Sequence, residues 1–192
     1  MKRPGFSRTA VVMIALAGSV FATPAWPEEL AGQNFPAAVT FQGQPLALKG
    51  TGIKTHFFIK VLVAGFYTEK DAAEGAILDE SAKRIEVAYF YPVPGKKLAR
   101  ETRERIRQNT TAQEYAKIEA RINTMDDYFV DLRPGDRYVL TYVPAMGTFF
   151  TYNGKEQGLI EGRDFARALF SVWIGERPLS ETLKTQLLGY EK

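Results

Sequence analysis

The chain has 192 residues, 45% hydrophobic and 12% aromatic, which is enough for one domain with a real core and too apolar for a disordered tail. Its formal net charge of +3 does not point to nucleic acid. Three of the 25 basic residues, Lys2, Arg3 and Arg8, fall in the first 25 positions, where there is no Asp or Glu, and the 22 acidic residues balance the rest. The absence of cysteine excludes disulfides, thiol catalysis and thiolate metal sites, and the single histidine, His56, gives no basis for a zinc or other metal site.

Residues 1–25 read as a secretory signal peptide. Lys2, Arg3 and Arg8 form its basic start, and Ala10 to Val20 form an apolar run shorter than the ~20 residues that a membrane span needs. Small residues place cleavage after Ala22 or Ala25. This predicts an exported protein, periplasmic or secreted, and a domain without disulfides suits a bacterial periplasm.

The remainder, residues 26–192, reads as one α+β domain. Trp26 to Asn34 has little pattern. Ala37 to Phe41 and Pro45 to Leu48 flank a turn at Gln42-Gly43-Gln44 and predict a hairpin. Gly50-Thr51-Gly52 precedes a strand, whereas a phosphate-cradling loop would lead into a helix. Ile53 to Tyr67 reads as one long strand with a bend at Gly65. Thr55, Phe57, Ile59, Val61 and Val63 form one face of it, and Lys54, His56, Phe58, Lys60 and Leu62 the other. Lys60 would reach solvent at a sheet edge or pair with a carboxylate. Asp71 to Leu78 reads as a short helix, and Lys83 to Tyr91 as a strand with Ile85, Val87 and Tyr89 facing one way.

Gly95 to Gln108 reads as a strongly basic helix whose apolar positions are Leu98, Ala99 and Ile106. Thr111 and Glu114 form a capping box ahead of a second helix, in which Tyr115, Ile118, Ile122, Met125 and Phe129 recur at core-facing spacing. Asp126, Asp127 and Asp131 read as belonging to the following turn. Arg137 to Val143, Thr148 to Tyr152 and Lys155 to Ile160 predict an antiparallel meander, with Asn153-Gly154 as its strongest turn signal. Phe165, Ala168, Leu169, Val172 and Trp173 predict a helix ended by Gly175. Ser180 caps a last helix carrying Leu183, Leu187 and Leu188.

Gly50-x-Gly52-Ile53-Lys54, followed by Phe58-Ile59-Lys60-x-x-x-Ala64-Gly65-Phe66-Tyr67, resembles the chalcone isomerase family. Pro94-Gly95-Lys96, Gly135-Asp136, Gly147-Thr148, Asn153-Gly154, Phe165-x-x-Ala168-Leu169, Trp173-Ile174-Gly175 and Pro178-Leu179-Ser180 match it in order and spacing. Phe35 to Leu188 is covered, and the chain is most similar to exported bacterial chalcone isomerase-like proteins. The resemblance implies an open-faced β-sandwich: a large, mostly antiparallel sheet covered by helices, with a ligand cleft between them. One branch of the family cyclises chalcones without a cofactor; another binds fatty acids in the same cleft and is not catalytic.

Against the enzyme pattern, the strand arginine falls on Lys54, the threonine on Leu62, and the helix tyrosine, lysine and asparagine on Leu98, Glu101 and Arg105. A polar wall suited to a developing oxyanion becomes more apolar, and Lys54 keeps a charge without the planar fork of arginine. The resemblance therefore implies cofactor-free, non-catalytic binding of a fatty acid or other apolar anion. Lys54 would hold the anion, with His56, Phe58, Leu62 and Leu98 lining the cleft, in a monomer. No catalytic residue is assigned. One alternative is a cofactor-free isomerase or intramolecular lyase on an unsaturated carbonyl compound, using Lys54 with Tyr67 or Tyr152. Another is an envelope accessory protein without a small ligand, in weak contact with an anionic membrane through the basic helix Lys96 to Arg107.

Overall fold

A computed structural model describes residues 27–190, and the expected signal peptide lies outside them. The centre is a seven-stranded antiparallel sheet in which every strand pairs with its neighbours in sequence. Its strands are β3 (Ala38–Phe41), β4 (Gln44–His56), β5 (Ile59–Thr68), β6 (Lys83–Tyr89), β7 (Arg137–Val143), β8 (Gly147–Tyr152) and β9 (Lys155–Ile160). Four helices accompany it: α1 (Gly95–Gln108), α2 (Ala112–Tyr128), α3 (Arg163–Ile174) and α4 (Glu181–Leu187). This is the helix-covered, open-faced arrangement that the resemblance implies. A separate ribbon of β1 (Glu28–Leu30) and β2 (Gln33–Phe35) precedes the sheet, where the sequence shows little pattern.

The long strand expected from Ile53 to Tyr67 is in fact two strands. The chain reverses at Phe57-Phe58, whose φ values of 47° and 65° put both residues in the left-handed region. A two-residue type I′ turn requires this, and Asn, Asp or Gly usually supply it. Two phenylalanines give no turn signal in the sequence, so the reversal reads as continuous strand. The expected bend at Gly65 is instead a seat for an aromatic ring: a Cβ there would lie 2.4 Å from the ring of Phe35. The expected helix from Asp71 to Leu78 shrinks to a 3₁₀ turn at Glu74–Ala76. Gly75 weakens helix propensity there, and the segment is too short to offset the cost of nucleation.

One sheet face holds the main core. Leu62, Ala64 and Phe66 of β5, Val87 and Tyr89 of β6, and Leu140 of β7 pack with Ile118 and Ile122 of α2 and Leu169 and Phe170 of α3. The capping box forms as expected: Thr111 Oγ1 accepts from Glu114 N at 3.2 Å, and Thr111 N donates to Glu114 Oε2 at 2.8 Å. Asp131 lies at the start of α1, where it accepts from Gly95 N at 2.8 Å, and Asp126 pairs with Arg103, so these two carboxylates hold α1 to α2. α4 docks on β4 because Gly50 and Gly52 leave room; a Cβ at Gly52 would stand within 2.9 Å of Leu183 and Gln186. Gln186 Oε1 then accepts from Ile53 N at 3.0 Å.

The ribbon packs on part of the outer face. Phe35 packs on Val63 and Ala88. Beside it, buried Glu86 lies between Arg84 at 2.8 Å and Arg137 at 2.5 Å. Arg137 also reaches the carbonyl of Asn34 at 3.2 Å, and its guanidinium lies over the ring of Phe35. Pairing and stacking meet the desolvation cost of these charges.

Lys83 is a buried charge without a carboxylate partner in hydrogen-bond reach among the described residues. Its Nζ donates to the carbonyl of Ser81 at 3.0 Å and lies 4.4 Å from the ring centre of Tyr142. Burial lowers its pKa to about 8.

Candidate ligand-binding site

The β4–β5 hairpin sets Lys54 directly opposite Leu62, and β5 sets Leu62 opposite Tyr89. Directly paired residues of antiparallel strands share a sheet face, so Lys54, Leu62 and Tyr89 form one row under the helices. A bulge places Thr55 opposite Lys60 and leaves Val61 as the extra residue. Lys54 and Leu62 therefore share a face as cross-strand neighbours, and not as members of one strand.

The row leads to a small cavity of about 20 Å³, room for about one water. Tyr89, Leu140 and Tyr138 line its sheet side, with Leu98 and Thr102 of α1 and Trp173 of α3 above. The lining is apolar apart from the hydroxyls of Thr102 and the two tyrosines and the indole N–H of Trp173. Burial raises the pKa values of both Tyr89 and Tyr138 far above the usual phenol range, so both are neutral donors at any physiological pH.

Lys54 is half-buried at the other end of the row. Desolvation lowers its pKa, and the nearby charge of Glu101 partly opposes this. Lys97 and Arg105 also act on it, so the strand position and the α1 positions singled out in the sequence meet in one region. His56 and Phe58 do not join them. His56 is exposed, with its ring 4.4 Å from that of Phe57, and Phe58 is fully exposed at the turn. Phe58 sits in the turn itself, and His56, although it keeps the β4 parity of Lys54, lies beside the turn in solvent, so neither lines a cleft. Lys60 is also exposed. Tyr89, Thr102, Tyr138 and Trp173 were not singled out as site residues. Tyr89 has the strand parity of Ile85 and Val87, and Trp173 lies on the core stripe of its helix, so both carry only a core signal.

The tyrosines of the isomerase alternative do not converge on Lys54. Tyr67 pairs with Arg84 and packs with Leu46 and Ala82 on the outer face. Tyr152 donates its hydroxyl to Asp136 at 2.5 Å. A larger open groove of about 770 Å³ lies between the α1–α2 connection and α3, lined by charges of both signs, including Arg107, Lys117 and Arg177 with Glu114, Asp164 and Glu176. Its mixed polarity does not suit an apolar ligand. Among the described residues, no group of three or more His, Cys, Asp or Glu is placed to hold a metal ion.

The family profile described as chalcone isomerase-like matches residues 27–189. The chain belongs to the chalcone isomerase-like family. Among solved structures, this chalcone isomerase-like chain is similar to an Arabidopsis thaliana fatty-acid binding protein, with a TM-score of 0.64 and 15% identity over 82% of this chain and 92% of that one. At that identity the likeness shows the fold alone. Among curated protein sequences, none matches the chain.

Proposed function

We propose that this chalcone isomerase-like protein binds an apolar carboxylate, such as a fatty acid, between α1 and the sheet and does not transform it. The observation that carries this reading is the row Lys54–Leu62–Tyr89, a half-buried cation joined by apolar side chains to an apolar cavity. A carboxylate at Lys54 would restore the charge complement that burial removes, and the chain would lie along the row toward Leu98 and Trp173. The fold shared with a fatty-acid binding protein supports the same ligand class.

Ligand pockets run to about 300–1,000 Å³, far above the 20 Å³ of this cavity, so binding requires α1 to lift. α1 meets the core through Gly95, Leu98, Ala99, Thr102 and Ile106 and is tied down by Asp126 and Asp131, so these contacts set the cost of that movement. The reading includes export, supported by the basic and apolar pattern of residues 1–25. Native mass spectrometry of protein recovered from an expressing bacterium should find a bound apolar acid, and N-terminal sequencing should find a start at Thr23 or Trp26. If no ligand co-purifies and no fatty acid binds more tightly than ~1 mM, the binding reading fails.

A further inference from the structure

The most exposed apolar group among the described residues lies at the tip of the β4–β5 hairpin. Phe58 is fully exposed, Phe57 is 82% exposed and Ile59 51%. Neither packing nor turn chemistry accounts for two phenylalanines here. They touch no core, and both hold positive φ, a conformation that costs a bulky residue energy and that Asn-Gly would adopt freely. A consecutive apolar triplet at the end of a projecting hairpin can enter another medium with little rearrangement of the domain.

Charge indicates which medium. From Lys49 to Thr68 the sequence has no acidic residue, and Lys54 and Lys60 flank the tip. Lys60 is exposed. The start of α1 adds Lys96, Lys97 and Arg100; Lys97 is near enough to act on Lys54, and Glu101 contacts Lys97 at 3.8 Å. Aromatic and aliphatic side chains that insert, with lysines behind them at headgroup depth, match an anionic lipid surface. No helix among the described residues is long and apolar enough to cross a membrane, so the contact is shallow.

We propose that Phe57, Phe58 and Ile59 form a docking tip for an anionic bilayer, with Lys60 and the start of α1 as its electrostatic surround. The basic helix considered from the sequence then assists and does not insert. The proposal does not rest on ligand binding, because the tip lies outside the Lys54–Tyr89 row.

The chain has no cysteine, so Thr55→Cys in the full chain gives one labelling position, exposed and close to the tip. An environment-sensitive dye at that position should shift to shorter wavelength with vesicles containing phosphatidylglycerol, and much less with phosphatidylcholine alone. Added salt and Lys60→Glu should both weaken the response. The decisive variant is Phe57→Asn with Phe58→Gly, which relieves the turn and removes both rings. It should fold with an unchanged or higher Tm and lose at least about tenfold in apparent vesicle affinity. The proposal is overturned by a dye response that this variant leaves unchanged, by equal response to both vesicle types, or by no response at low salt. Concentration-dependent self-association that the variant abolishes, without a vesicle response, would assign the tip to a second copy and also overturn it.

Discussion

Lys54 and Leu62 face each other across the β4–β5 hairpin, with their side chains on the helix-covered side of the sheet. This pairing puts a cation and an apolar side chain at the entrance of the proposed site. Lys54→Glu should therefore weaken fatty-acid binding by ~tenfold or more, since one charge contact is worth about 1.5–3 kcal/mol. Lys54→Arg should keep most of it. Because burial lowers the Lys54 pKa, carboxylate affinity should begin to fall with rising pH before the ordinary lysine range is reached. Calorimetric titration with the same fatty acid at several pH values checks all three.

Lys83 gives a prediction about stability. Its pKa is lowered from 10.5 to about 8 in the folded chain, so the unfolded chain binds more protons between those values. Stability should therefore rise with pH through that window and be lowest below it, by on the order of 3 kcal/mol relative to an unperturbed lysine. Lys83→Met should flatten the rise. It should also stabilise the protein near neutral pH by roughly 1–2 kcal/mol, after loss of the Ser81 hydrogen bond. Urea unfolding from neutral to about pH 9.5 is the appropriate range. Above the ordinary phenol pKa of 10.0 the buried tyrosines Tyr89 and Tyr138 act in the opposite sense, because folding raises their pKa values and stability falls as pH increases.

Phe35 and Gly65 form a ring-and-seat pair that holds the β1–β2 ribbon on the sheet. Gly65→Ala should displace the ring and destabilise by about 1–3 kcal/mol, and Phe35→Ala should cost about 3–5 kcal/mol. In the double variant the two losses should fall short of their sum, because the clash disappears with the ring. A double-mutant cycle by denaturant unfolding measures this.

Thr111 tests a local feature. Thr111→Ala removes the side chain that accepts from Glu114 N and should cost about 1 kcal/mol. Thr111→Ser should restore most of it. A thermal melt of each variant, followed by circular dichroism, distinguishes them.

The elements with local punctuation were legible in the sequence. The Thr111–Glu114 box, the Asn153-Gly154 turn, Gly175 and Ser180 mark α2, the β8–β9 hairpin, α3 and α4 where the structure has them. The β4–β5 reversal was not legible, because Phe57-Phe58 looks like strand and its turn geometry is imposed by pairing on either side. Counting along a single strand put Lys54 and Leu62 on one face; they share it across the hairpin instead, because the extra residue Val61 shifts the register. The same count misplaced Phe58, which sits in the turn, and gave no sign that His56 lies exposed beside it. The β1–β2 ribbon escaped notice because its strands span three residues each, and its purpose lies in Phe35 meeting a glycine far along the chain.

The strand order also has a consequence in time. Each sheet strand pairs with its neighbour in sequence, so the sheet can zip outward from the β4–β5 hairpin through successive closures, most of them short, which favours fast folding. The distant closure is α4, whose Gln186 must find Ile53 at a sequence separation of 133. A chain emerging from a ribosome or an export channel would complete its sheet before that contact could form. Gly50 and Gly52 would then wait exposed for the last helix, which makes the docking of α4 the final step of assembly.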